Sequence, residues 1–86
     1  MSWLLPIRLT RSDASSLLEQ GLVVIAQGER VFDARALQQF DSTALAVMLA
    51  WRRASCARGE PLAFIHLPEK LVSLSQAYGV EAILTL

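Results

Sequence analysis

QQFDSTALAVMLAW, Gln38 to Trp51, sets an aspartate and two hydroxyl residues directly before eight consecutive apolar residues, Ala44 to Trp51. Aspartate, serine and threonine are preferred at helix N-termini, where their side-chain oxygens accept from amides that the first turn leaves unpaired. A helix therefore opens at Ser42, and Gly59 and Pro61 stop it after about Ala57. Apolar residues fall on every side of its first half, so more than one side should avoid water, one of them by packing on a sheet.

Upstream, Val31-Phe32 starts a short buried strand ending near Asp33 or Ala34, and Arg35 to Phe40 connects it to Asp41. Before that, Ala14, Leu17, Leu18, Gly21, Leu22 and Ile25 recur at helical spacing, capped by Thr10 or Ser12 and closed by Gly28. This predicts a helix from Ser12 to about Gln27, although the β-branched run Val23-Val24-Ile25 also suits a strand. Trp3 to Leu9, with Pro6 in its middle, reads as an edge strand or extended lead-in. Downstream, Leu62 to Leu67 reads as an inner strand. Pro68 then starts a helix carrying Leu71, Val72, Leu74, Ser75 and Tyr78, with Glu69 in its first turn and Gly79 at its end. Val80 to Leu86 is a final strand or frayed turn. The alternation predicts an α/β fold, a single domain over residues 1–86 with a short sheet covered by about three helices.

At 86 residues the core is small enough that a partner would matter to stability. The composition, 53% hydrophobic against 19% charged, belongs to a folded chain. Eight basic and eight acidic side chains cancel, which argues against a nucleic-acid binder. Cys56 is the sole cysteine, so neither an intrachain disulfide nor a cysteine metal site is available, and a reducing cytosol fits. The apolar run is too short to span a bilayer, and no basic segment leads into a signal-like stretch, so a membrane is expected to be met only through a partner.

Asp41, Ser42 and Thr43 have an ordinary use as a helix cap. The same exposed amides and helix dipole also favour a phosphate on Ser42 or Thr43, and that charge at the edge of a binding surface would repel a partner. Catalytic readings are thinner. Asp33 and Asp41 form a sparse magnesium set, and His66 completes a Ser-His-Asp arrangement only if it reaches Ser42. Gly21, Gly28, Gly59 and Gly79 are too scattered to cradle a phosphate, and no cofactor is expected. Trp51 beside Arg52 and Arg53 has the makeup of an interface anchor, or else folds back on the domain with the arginines in solvent.

Val31-Phe32-Asp33-Ala34, a short connection, then Phe40-Asp41-Ser42-Thr43-Ala44 and an apolar helix resembles the signature of STAS domains, over roughly Arg30 to Leu84. Within that family the chain most resembles the small MlaB-type subunits of Mla phospholipid ABC transporters. The resemblance implies a non-catalytic cytoplasmic protein held at the inner face of the inner membrane by the transporter, in a system that maintains outer-membrane lipid asymmetry. Its partner would be the ATPase subunit, contacted by Asp41, Ser42, Thr43 and the helix residues Leu45, Met48, Trp51 and Arg52. The alternative it implies is an anti-sigma factor antagonist, whose partners would be a serine kinase and an anti-sigma factor. The second hydroxyl, here Thr43, is the usual phosphorylation site in those proteins. Ala44 replaces the family's common glycine, and the N-terminal strand region is abbreviated. A sheet edge left open would permit a homodimer.

Overall fold

The computed structural model describes residues 2–80 and Ala82. Its order is β1 (Trp3–Leu4), β2 (Arg8–Leu9), α1 (Ala14–Ala26), β3 (Val31–Asp33), β4 (Gln39–Phe40), α2 (Ser42–Ala57), β5 (Ala63–Ile65) and α3 (Glu69–Ala77). The strands are parallel throughout, β1-β3-β5 in one sheet and β2-β4 in a second. The expected α/β domain, with a short sheet and three helices, is thus present.

The N-terminal segment is short, as expected, but holds two strands. Pro6, without an amide hydrogen, interrupts Trp3 to Leu9. The Ile7 carbonyl then accepts from the amides of Gln38 and Gln39 at 2.7 and 3.0 Å, which starts the β2-β4 pair. The Arg35 to Phe40 connection therefore contains a strand of its own. β5 is an outer strand among the described residues, with β3 in the centre, so the expectation of an inner strand there is corrected. The Val23-Val24-Ile25 run is helical: Leu17, Gly21 and Ile25 share the buried stripe of α1, and burial of that face decides over the strand preference of single residues. Of the C-terminal expectation, residue 81 and residues 83–86 lie outside the described residues.

Helices α1, α2 and α3 end in the same way. Gly28, Gly59 and Gly79 take φ of 102°, 80° and 70°, and the amide after each reaches back to Val24, Ser55 and Ser75 respectively. A left-handed residue is needed at this position, and glycine takes it without a Cβ clash.

The core centres on four aromatic rings. Phe32 lies 4.8 Å from Trp3, 5.1 Å from Trp51 and 6.0 Å from Phe64, and Trp3 lies 5.5 Å from Trp51, all edge to face. The register explains the arrangement, since Trp3 pairs with Phe32 and Phe32 with Phe64. Trp51 reaches this row from α2 and passes against α1, where its indole N–H donates to the Leu18 carbonyl at 3.1 Å. Gly21 makes that approach possible, because a Cβ there would stand 2.1 Å from the indole nitrogen.

Candidate docking site

The N-terminus of α2 is assembled by one carboxylate. Asp41 occupies the cap position in extended backbone, and its Oδ1 accepts from the Thr43 amide at 2.9 Å. Its Oδ2 accepts from the Arg11 amide at 3.2 Å, across 30 residues of sequence. Burial disfavours the charged form of Asp41, but the hydrogen bonds from the Arg11 amide and from Thr43 outweigh it and hold its pKa below the usual carboxylate value. Asp41 therefore caps a helix and ties the β2-α1 turn to it.

That turn has its own clamp. Asp13 accepts from Arg8 Nε and Nη2 at 3.1 and 3.0 Å, and from the Thr10 amide and hydroxyl at 3.0 and 2.8 Å. The Arg8 hydrogen bond leads the causes that hold the Asp13 carboxyl below its ordinary value. Asp13 stands at the cap position of α1 yet makes no side-chain cap bond to that helix, so neither Thr10 nor Ser12 caps it as expected; the acid holds the turn instead.

The residues expected to meet a partner separate into two groups. Ser42 is exposed, and Asp41 and Thr43 are half-buried. A shallow groove of about 200 Å³ runs beside them, lined by Ser42, Leu45, Ala46, Leu49, Tyr78 and Val80. Tyr78, which the sequence suggested only as part of the α3 stripe, is 59% exposed at this groove. Leu45 turns mainly inward, at 4% exposure, while Ala46 is open and Leu49 half-buried.

Met48 and Trp51 are fully buried, so the interface-anchor reading of Trp51 is corrected and the fold-back reading holds. The slot over Gly21 and the aromatic row take the whole indole. Arg52 is half-buried and donates to the Ala82 carbonyl, whereas Arg53 is exposed. The apolar helix is thus less two-sided than its sequence suggests: Ala44, Leu45, Val47, Met48, Trp51 and Ser55 form one buried face.

Asp33 belongs to another cluster. It is fully buried; its Oδ1 accepts from the Arg35 amide at 2.9 Å and lies 3.1 Å from His66 Nδ1, and its Oδ2 accepts from Arg35 Nε at 2.8 Å and from Nη2 at 2.6 Å. Burial raises its pKa, but these bonds outweigh that and leave it lowered. His66 has a φ of 56°, a left-handed conformation that histidine visits more readily than most residues. Asp33 and Asp41 thus face different donors. Among the described residues no group of three or more His, Cys, Asp or Glu side chains could hold a metal ion. His66 has found its aspartate, but no hydrogen bond among the described residues joins it to Ser42.

The sequence carried no sign of Arg11 as a neighbour of Asp41. The pairing supplies it: Leu9 pairs with Phe40, so the chain leaving β2 comes within reach of the chain leaving β4, and the Arg11 amide donates to Asp41. No helix among the described residues is long and apolar enough to cross a membrane.

No curated protein matches the chain. A family model described as Mlab, STAS domain, matches residues 7–85, nearly the whole chain. With its cap-and-hydroxyl helix entry, parallel sheet and three helices, the chain belongs to the STAS domain family.

Proposed function

We propose that this protein is a non-catalytic subunit that docks on the ATPase of an Mla-type lipid ABC transporter through the Ser42 end of α2. The observation that carries the reading is the exposed Ser42 hydroxyl beside the groove of Leu45, Ala46, Leu49, Tyr78 and Val80. A polar rim next to an apolar depression suits a protein interface. The match to a family model bearing the Mlab name supports the transporter as the setting. To regulate the ATPase, the subunit must bind one of its states more tightly than another.

Membrane association would then come through the transporter, at the cytoplasmic face. Co-expression of the chain with a cognate transporter ATPase tests the reading: a complex that survives size-exclusion chromatography is expected, and two separate peaks would contradict it.

A second reading, an anti-sigma factor antagonist controlled by phosphorylation, is favoured by the exposure of Ser42, which leaves its hydroxyl open to a kinase. Incubation with a cognate anti-sigma kinase and ATP would add one phosphate to the Ser42-Thr43 peptide under that reading. An unchanged mass would exclude it.

A further inference from the structure

The β2-α1 turn stands beside Ser42, and its outward chemistry differs from its composition. This turn and the entry to α2 carry two acids, Asp13 and Asp41, and the oxygens of both accept hydrogen bonds from within the protein. Asp13 accepts from Arg8 and Thr10, and Asp41 from the Arg11 and Thr43 amides. Arg8 is held by Asp13. Arg11 uses its backbone amide for the fold, while the residue itself is exposed. With the exposed hydroxyl residues Ser12 and Ser42, the surface at this end presents a guanidinium and hydroxyls to a partner, with its carboxylates already occupied.

We infer that the Thr10 to Asp13 turn is a second element of the docking surface and that Arg11 receives a carboxylate from an acidic segment of the partner. This rests on the docking reading and adds to it a contact outside α2 and a charge preference. The physical reason is complementarity: a guanidinium presents paired N–H donors that fit a carboxylate, and exposed charges at an interface rim govern encounter and partner choice. A second copy of the chain is a poorer occupant, since symmetric pairing through this patch puts two Arg11 side chains in one interface where Asp13 and Asp41 of both copies are already bonded.

The side chain of Arg11 can be changed with little effect on the fold, because Asp41 grips only the amide. Binding to the co-expressed ATPase is measured for the wild type, R11Q and R11E, with R53E as the control for net charge. Arg53 is exposed on α2, about 16 Å along the helix axis from Ser42. R11Q should weaken binding about threefold and R11E roughly tenfold or more, with R53E close to wild type and all melting temperatures nearly unchanged. Wild-type affinity should also fall more steeply with added salt than that of R11Q. Binding by R11E equal to the wild type, or tighter, overturns the inference while leaving the docking reading intact. Equal losses for R11E and R53E overturn it as well, since net charge would then be the cause. Failure of the wild type itself to bind overturns both.

Discussion

The two ends of the apolar run in α2 are put to opposite uses. At Trp51 the helix is sealed: the indole fills a slot over Gly21, gives its N–H to Leu18 and stacks edge to face on Trp3 and Phe32. Nine residues earlier, at Ser42, the same helix is open, its cap shared with a turn from another part of the chain and its side bordering a groove. The difference teaches that hydrophobicity along one helix does not by itself mark an interface. What a side chain does is decided by what stands opposite it, a glycine at one end and a surface turn at the other. Stability and partner binding should therefore respond to different substitutions.

The largest expected effect lies at the sealed end. Trp51→Ala empties the slot and removes two aromatic contacts, those with Trp3 and Phe32, with a loss of about 3–5 kcal/mol, measured by urea unfolding. A cost below about 1 kcal/mol would break the contrast, because Trp51 would then not be the centre of the core.

Gly21→Ala comes next. The new methyl meets the indole at a distance that no packing tolerates, and overpacking of this kind costs about 1–3 kcal/mol. Alanine's better helix propensity returns less than about 1 kcal/mol of that. In the Trp51→Phe background the alanine should cost less, and the resulting coupling in a double-mutant cycle reports the contact itself.

An acid titration of stability should show the carboxylate clamps. Asp13, Asp33 and Asp41 all have folded pKa values below their ordinary ones. Their contribution is complete above the unfolded value of about 3.9 and is lost as pH falls through the lowered folded values. The urea midpoint should drop in that acid range, and Asp33→Asn should make the drop shallower. A midpoint independent of pH down to that range and through it would contradict the clamps.

The smallest stability effect is expected at the open end. Ser42→Asp alters an exposed residue next to the cap, so it should shift stability by less than about 0.5 kcal/mol. Its added charge at the groove should nevertheless weaken the ATPase complex markedly. Comparable losses in stability and binding would erase the distinction between the two ends.

Much of this was legible in the sequence wherever local chemistry decides the structure. The stripe Leu17, Gly21, Ile25 and the glycines past each helix gave the helices, and Asp41 gave the start of α2. The division of Trp3 to Leu9 into β1 and β2, and the strand β4, were not legible, because two residues carry no periodicity and β2 and β4 form only by pairing with each other. The fate of Trp51 was left open for a related reason: the slot that receives it depends on Gly21, 30 positions earlier on another helix. Arg11 stayed hidden because its tie to Asp41 uses a backbone amide, which every residue other than proline possesses. Asp33 showed as the end of a strand and as half of a sparse magnesium set; its partner His66 appeared when β3 and β5 were paired.

The most direct measurement is hydrogen exchange of the chain alone and in complex with the transporter ATPase. The account predicts new protection in the Thr10 to Asp13 turn and from Asp41 to Leu49, with the Trp51 region already slow in the free chain and little changed. Protection confined to the exposed Leu22 and Val23 face of α1, with the Ser42 end unchanged, would contradict it.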